Sequence, residues 1–212
     1  MAGQKRAKDV ARAKQERQAS RRIEQQRQAI VMPGFGTRGA PDAPADSADA
    51  MNAANTSVMV AGDELWALWE GGSPTRLDPY TLQTHGVRPF RDDLAGMPFL
   101  AHPKVEPNGR IWNLGVNGSR VVIWRLSASG ALEDAQVIDT GVRSYIHDWA
   151  MTERYLIIPL QPWTIDRFVA PIVDSYTWRG DQPFRVLVLD KSDYANRRMY
   201  ELPAMFFFHT GD

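Results

Sequence analysis

Short apolar runs separated by turn residues dominate the chain from about residue 55 onward. The runs are rich in β-branched and aromatic side chains, and pairs such as Asp-Pro, Asn-Gly and Ser-Gly between them are typical of turns. Strands are predicted at 56–60, 64–68, 75–77, 111–114, 121–126, 135–138, 155–158, 185–189 and 199–202. No long helical period interrupts them. The pattern therefore predicts an all-β domain, and a sandwich, a barrel and a propeller are all compatible with it.

The first 54 residues differ from the rest because they contain few large apolar side chains. Residues 1–31 are basic and rich in Ala and Gln, so this extension is predicted to be helical or disordered. Its first 30 positions hold nine Lys and Arg residues against three acidic ones, a net charge of +6 that leaves −6 for the remainder of the formally neutral chain. Residues 32–54 are rich in Ala, Pro and Gly and are predicted to be a linker. These boundaries place the folded domain at 55–212.

The basic extension has several readings. A nucleic-acid arm, a membrane-surface arm and a transit peptide are each compatible with its charge. However, acidic residues interrupt the basic run and aromatic residues are absent from it. We therefore expect a solvated, partly disordered extension, and no nucleic acid as a partner.

Composition limits the chemistry that the folded domain can perform. The chain has 212 residues and no cysteine, which excludes disulfides, thiolate metal sites and cysteine nucleophiles. Histidine and carboxylate side chains must carry any metal chemistry. No apolar run is long enough to span a bilayer and no signal-peptide core follows the basic start, so a cytoplasmic location is expected.

Three of the four histidines share one sequence context. His102 follows the apolar stretch Phe99–Ala101, His209 follows Phe206–Phe208, and His147 precedes an apolar strand, so each is predicted at the open end of a buried strand. The three are 45 and 62 residues apart, which is too far for a local zinc motif. Such spacing suits ligands that successive repeated units deliver to a common axis. A hydrogen-bonded structural role remains the alternative for a single histidine of this kind.

The fourth histidine, His85, has a different setting. It follows the polar stretch Thr81–Thr84 and is predicted to lie on a turn. We expect no functional role for it.

Five short motifs occur in order along the folded domain. They are Trp69-Glu70-Gly71-Gly72, Leu77-Asp78-Pro79-Tyr80-Thr81-Leu82, Ala101-His102-Pro103-Lys104, Ile146-His147-Asp148-Trp149 and Phe206-Phe207-Phe208-His209. Together they resemble the carotenoid cleavage oxygenase family, which includes carotenoid-, apocarotenoid- and stilbene-cleaving dioxygenases and retinoid isomerases. No single motif is specific, but five in order are.

The resemblance implies a partial seven-bladed β-propeller with a non-haem Fe²⁺ on its axis, bound in the family by four histidines. His102, His147 and His209 match the first three ligands. Glu70 matches a carboxylate that accepts the free ring N–H of a ligand histidine, which fixes the ring tautomer and raises ligand basicity. The alternative for Glu70 is an ordinary turn carboxylate before two glycines.

The resemblance also implies the reactants. These are dioxygen and a conjugated substrate whose carbon–carbon double bond is split into two carbonyl products. In the stilbene-cleaving branch a lysine that engages a phenolic oxygen stands at the position of Trp69, whereas tryptophan offers an apolar face and one N–H donor. Trp69 is therefore predicted to contact an apolar carotenoid or apocarotenoid, and packing inside the blade is the alternative. A peripheral membrane contact for substrate uptake is compatible with such a substrate.

The sequence departs from the family pattern at both ends, because the basic extension and the linker stand where the family has its usual N-terminal strands. The family's fourth histidine lies near the end of a considerably longer chain, whereas no histidine follows His209 here. An open propeller leaves unpaired strand edges, so the chain is expected to be a fragment or a truncated gene product. Two functional classes stay open: part of an iron-dependent dioxygenase, or an inactive β-rich remnant or binding module.

Overall fold

The computed structural model describes residue 49 and residues 52–94, 96–165 and 172–211. Over these residues the chain is all-β, as the sequence pattern predicts, with three four-stranded antiparallel sheets and one two-stranded hairpin. The basic extension at 1–31 and most of the linker at 32–54 lie outside the described residues, so the expectations for them stay predictions.

The three sheets follow one another along the chain. The first sheet contains β1 (Ser57–Ala61), β2 (Glu64–Leu68), β3 (Thr75–Leu77) and β4 (Thr84–Val87), paired in that order. The middle sheet contains β5 (Lys104–Val105), β6 (Ile111–Asn117), β7 (Arg120–Leu126) and β8 (Leu132–Asp139), again paired in order. The third sheet contains β9 (Ala150–Met151), β10 (Tyr155–Leu160), β13 (Phe184–Asp190) and β14 (Asp193–Leu202).

Shorter elements connect the strands. The hairpin of β11 (Trp163–Ile165) and β12 (Tyr176–Trp178) lies in the connection between β10 and β13. Two 3-10 helices, Asp92–Leu94 and Ile172–Ser175, lie before β5 and before β12. No helix among the described residues is long and apolar enough to cross a membrane.

The middle sheet is buried on both faces because its central strands send alternate side chains into two cores. Trp112, Leu114 and Ile123 pack against the third sheet. Val122 and Trp124, which point the other way, pack against the first sheet. Successive side chains of a strand point to opposite faces. Burial of both faces therefore explains why β6 and β7 appear in the sequence as continuous apolar runs.

A glycine in β6 allows the segment that precedes β5 to dock on the middle sheet. An added Cβ at Gly115 would lie 1.9 Å from the carbonyl oxygen of Pro98. The same oxygen accepts a hydrogen bond from Trp124 Nε1 at 2.9 Å, and Leu100 N donates to Leu114 O at 2.8 Å. Close backbone approach of this kind is a common reason for glycine inside a strand. These contacts fix the segment that carries His102.

Two apolar segments predicted to end as buried strands are not strands. Phe99–Ala101 is buried, but it crosses from the first sheet to the middle sheet, with Phe99 N donating to Gly72 O at 2.9 Å. Phe206–Phe208 is non-strand chain after β14, with Phe206 57% and Phe208 42% exposed. The strand-end setting predicted for His102 and His209 is therefore wrong in this detail. A run of apolar residues is typical of buried side chains, but it does not show that the backbone pairs in a sheet.

Strands appear at all nine predicted positions, and several are longer than predicted. The sequence missed five strands of two to four residues, namely β4, β5, β9, β11 and β12, which are too short to show a period. His85 lies in β4 and is exposed, so the turn predicted for it is wrong. Pro159, predicted to close its strand, lies within β10, because β9 pairs only with Leu156 and Ile157 and leaves Pro159 without a partner on that side.

Packed structure begins slightly before residue 55. Asn52 and Ala53, from the predicted linker, are buried. Asn52 Nδ2 donates to Ser73 O at 2.6 Å, and Asp49 Oδ1 accepts from Ser73 N at 2.6 Å. These contacts fix the turn that follows Glu70 at the end of the first sheet.

Candidate metal centre

The three predicted ligand histidines come from three separate non-strand segments. His102 lies just before β5 of the middle sheet, and His147 lies just before β9 of the third sheet. His209 lies after β14, at the opposite edge of the third sheet. His147 is buried, His102 is half-buried and His209 is exposed, with 53% of its side-chain surface accessible.

The structure brings these three side chains together. Their candidate ligand nitrogens all lie within 4.8 Å of one another. The ring centroids are 4.6 Å apart for His102 and His147, 4.9 Å for His102 and His209, and 4.8 Å for His147 and His209. Among the described residues, His85 is not part of this group. We call His102, His147 and His209 the histidine cluster.

The distance between His102 and His147 fits a metal ion that both histidines bind. His102 Nε2 and His147 Nε2 are 3.1 Å apart. Two metal–nitrogen bonds of about 2.1 Å at a right angle would place their nitrogens about 3 Å apart. A proton shared between the two rings would also fit this distance. Imidazole is a ligand that suits iron, zinc, copper and nickel, so the donor set fits a transition metal without selecting one.

Glu70 and Tyr145 contact the other nitrogen of His147. Glu70 Oε1 is 2.6 Å from His147 Nδ1, and Tyr145 Oη is 3.1 Å from the same atom. An ionised carboxylate can only accept a hydrogen bond, so this contact places the ring proton on Nδ1. In the neutral ring with this tautomer, the lone pair is on Nε2, which faces His102 Nε2. Burial, followed by the nearby Glu70 and Tyr176, raises the pKa of Tyr145, so its phenol stays protonated.

The surroundings of His102 favour its neutral form. Burial is the largest cause that lowers the pKa of His102, and its neighbours His147 and His209 lower it further. Asp148 and Glu70 act in the opposite direction but do not outweigh these effects. A neutral imidazole is the form that binds a metal ion.

A polar network that sequence reasoning missed lies behind the histidine cluster. Asp148 Oδ2 accepts hydrogen bonds from Thr210 N and Thr210 Oγ1, both at 2.8 Å. Lys104 Nζ lies 3.2 Å from Asp148 Oδ1. Burial opposes ionisation of Asp148, but the Thr210 and Trp149 hydrogen bonds and the Lys104 charge outweigh it and lower its pKa. The sequence offered one clue to this network, because Lys104, Asp148 and Thr210 each stand within two positions of a predicted ligand histidine.

An open cavity of about 520 Å³ lies over the histidine cluster. Its other lining residues are Asn55, Thr56, Trp69, Glu70, Tyr145 and Phe208. The Phe208 ring stacks on His147 with a centroid distance of 3.9 Å and an interplanar angle of 11°. The cavity therefore places an aromatic wall beside the candidate metal position.

Trp69 is 93% buried, since only 7% of its surface is exposed, and it borders this cavity. Its ring packs on the turn that follows Glu70, where an added Cβ at Gly71 would lie 2.3 Å from a ring atom. Trp69 thus packs against the protein and also lines the cavity, and its predicted contact with an apolar substrate stays a prediction.

Comparison with known proteins agrees with the five sequence motifs. The model of the family described as retinal pigment epithelial membrane protein (RPE65) matches residues 4–212. The chain is 26% identical to a carotenoid isomerooxygenase from Galleria mellonella, covering 85% of this chain and 41% of that protein. It is 34% identical to an apocarotenoid-15,15'-oxygenase from Synechocystis sp., covering 74% and 35%.

A solved structure of a similar protein has a similar fold. The lignostilbene dioxygenase of Pseudomonas brassicacearum superposes with a TM-score of 0.63 at 29% identity, covering 73% of this chain and 34% of that chain. This chain spans about two fifths or less of the length of all three relatives. The family model nevertheless covers nearly the whole of it. The chain belongs to the RPE65 and carotenoid cleavage oxygenase family.

Proposed function

We propose that this chain supplies three histidine ligands to the non-haem Fe²⁺ centre of a dioxygenase that cleaves a conjugated double bond of a carotenoid or apocarotenoid. The observation that carries the proposal is the histidine cluster with Glu70 against His147 Nδ1. The site occurs in a chain whose relatives include carotenoid and apocarotenoid oxygenases.

The proposed architecture is part of a seven-bladed β-propeller. Propeller blades are four-stranded antiparallel sheets arranged around an axis. Three such sheets occur in succession here, and adjacent sheets share apolar cores. Three blades of seven would be about two fifths of a propeller, which agrees with the 41% of the Galleria relative that the chain covers.

The proposed reaction adds both atoms of dioxygen across one double bond, so that R–CH=CH–R′ and O₂ give R–CHO and R′–CHO. The iron would supply the site where dioxygen is bound and activated. His102, His147 and His209 would hold it, and Glu70 would keep the His147 proton on Nδ1. Phe208 and Trp69 would bind the polyene by apolar contact and exclude water from the reacting bond.

Trp69 supports an apolar substrate. A tryptophan next to Glu70 offers an aromatic face and cannot pair as a cation with a phenolate. The second candidate is a hydroxystilbene, which the resemblance to a lignostilbene dioxygenase favours. Incubation of the iron-loaded protein with an apocarotenal and a hydroxystilbene in parallel distinguishes them, with equilibrium binding as the readout if turnover is low. Preference for the apocarotenal is expected, and a shift toward the phenol is expected in Trp69→Lys. Efficient use of the stilbene alone would overturn the assignment.

The 212-residue chain by itself is expected to bind iron weakly and to turn over little substrate. It would supply three of the four histidines that the family resemblance implies, and an open site admits solvent and competing metals. Robust oxygen-dependent cleavage by this chain alone would mean that another residue or a second chain completes the site. An inactive remnant or binding module would instead show no iron binding at all. Cytoplasmic location, peripheral membrane contact and the lack of a nucleic-acid partner remain predictions.

A further inference from the structure

The network behind the histidine cluster connects all three histidine-bearing segments. Lys104 stands two residues after His102, Asp148 directly follows His147, and Thr210 directly follows His209. Each segment therefore contributes one ligand candidate and one member of the network.

The contacts converge on Asp148. One carboxylate oxygen, Oδ1, faces Lys104 Nζ at 3.2 Å, and Oδ2 accepts from Thr210 N and Oγ1 at 2.8 Å each. Lys104 Nζ also donates to Thr210 Oγ1 at 3.4 Å. The side chains of Asp148 and Lys104 are 4% and 12% exposed. Hydrogen bonds to a buried charge are stronger than those between exposed neutral groups, and an uncompensated buried charge is costly.

No single β-ladder sets the relative positions of the three histidines. His102 enters the middle sheet, His147 enters the third sheet, and His209 follows the far edge strand of that sheet. The segment after β14 is anchored by Phe207 N, which donates to Gln161 Oε1 at 3.0 Å, and by Thr210 on Asp148. His209 stands between these two anchors. Its distance from His102 and His147 therefore depends on the Thr210 contact.

We propose that Asp148, clamped between Lys104 and Thr210, is a positioning residue that holds His209 against His102 and His147 and thereby sets the affinity of the site for a divalent metal. The inference rests on the proposed function, because it assigns the metal centre to the histidine cluster. Asp148 acts through its neighbours, since its own Oδ2 is 3.8 Å from His209 Nδ1.

Asp148→Asn is the informative substitution because it preserves size and removes the second acceptor. An amide has one oxygen and one NH₂ group. It must therefore point two donor hydrogens either at Thr210 N or at the side occupied by Lys104 Nζ and Trp149 N. Thr210→Val removes the hydroxyl and its contacts with Asp148 Oδ2, Lys104 Nζ and Trp149 O but keeps the Thr210 N–H bond, and Thr210→Ser restores the hydroxyl. Asp190→Asn is the matched control, since Asp190 is also a buried aspartate that accepts hydrogen bonds, from Ser192 and Arg154, outside the cavity.

The test titrates the full chain and these variants with Co²⁺ under anaerobic conditions and follows the visible d–d absorption. Loss of a partner that orients a metal ligand typically weakens metal binding by about 10- to 100-fold. We expect that loss for Asp148→Asn, a smaller loss for Thr210→Val, and wild-type affinity for Thr210→Ser and Asp190→Asn. Wild-type affinity in Asp148→Asn, or an equal loss in Asp190→Asn, would overturn the proposal.

A measurement on the metal-free chain tests the contacts of Asp148 independently of the metal centre. Amide hydrogen exchange of Thr210 should speed up by about ten-fold or more in Asp148→Asn, while exchange within β6 stays unchanged. If the wild-type chain binds no Co²⁺, the proposed metal centre is wrong, and amide exchange at Thr210 alone tests whether Asp148 positions this segment. Unchanged exchange at Thr210 would then overturn this positioning role as well.

Discussion

The middle sheet and the histidine cluster are held together by different physical means. Most side chains of β6 and β7 enter two apolar cores and are almost completely inaccessible. The histidine cluster instead depends on hydrogen bonds and charge between non-strand segments, with Glu70 on one side and Asp148 on the other. The difference indicates that substitutions of buried apolar residues in the sheet should mainly lower stability, whereas substitutions around the cluster should mainly change metal binding.

The largest expected effect is in the middle sheet. Leu114 is fully buried between the middle and third sheets. Leu114→Ala should lower the free energy of unfolding by about 2–5 kcal/mol, because it removes buried methyl groups and leaves a cavity. Urea unfolding measures this change. Val105→Ala, at a side chain that is 56% exposed, is the control and should change the free energy by less than about 0.5 kcal/mol.

The proposed difference between the sheet and the cluster is wrong if Leu114→Ala lowers the free energy of unfolding by no more than Val105→Ala does. It is also wrong if folded Leu114→Ala loses metal affinity to the same extent as substitutions at the histidine cluster. The first result would mean that Leu114 does not lie in a tightly packed core, and the second that the sheet and the cluster behave as one cooperative unit.

The same physical difference explains what could be predicted from the sequence. The strands β6 and β7 were predictable because burial of both faces gives a run of apolar residues that is visible locally, and β10 and β13 were predictable because they also contain consecutive apolar residues. Strands β5 and β9 were not, because a pair of residues shows no period. Their pairing comes from the neighbouring long strand and not from their own composition.

The candidate site was only partly predictable for a related reason. His102, His147, His209 and Glu70 could be selected through the family motifs, and the structure brings them together. The contact between Asp148 and Thr210 joins positions 62 residues apart, so no local pattern records it. Tyr145 was missed because its contact with His147 Nδ1 depends on how the loop folds and not on residue spacing alone.

A smaller effect is expected behind His147. Glu70→Gln keeps the size of the side chain but removes the charge that stabilises the Nδ1 proton. Affinity for Fe²⁺ or Co²⁺ should fall by about 10- to 100-fold, or about 1.4–2.7 kcal/mol, with little change in the free energy of unfolding. Metal titration and urea unfolding of the same sample test both parts.

Glu64→Gln provides the control for Glu70→Gln. Glu64 accepts hydrogen bonds from Trp66 Nε1 and Arg88 Nε and does not line the cavity. This variant should retain wild-type metal affinity. Equal affinity in Glu70→Gln and the wild type would contradict the role proposed for Glu70.

The smallest expected effect is a pH dependence at the end of the third sheet. Hydrogen bonds from Ser192, followed by the Arg154 guanidinium, lower the pKa of Asp190 to about 2. Because the folded pKa is below the unfolded value of about 3.9, the contribution of Asp190 is complete above about pH 4 and is lost as the pH falls toward 2. Urea unfolding between pH 5 and 2 should show a shallower acid dependence in Asp190→Asn. An unchanged slope would show that Asp190 titrates normally in the folded chain.

We propose that His102, His147 and His209 form one metal site in this chain. The test is anaerobic equilibrium dialysis of the wild type, His147→Ala and His85→Ala against excess Fe²⁺, followed by metal analysis. His85 is an exposed histidine on β4 and serves as the matched control. We expect about one iron per chain in the wild type and in His85→Ala, and almost none in His147→Ala, because three neutral imidazoles suit this metal. Iron retained by His147→Ala, or no iron in the wild type at saturating Fe²⁺, would show that these three histidines do not form the proposed metal site.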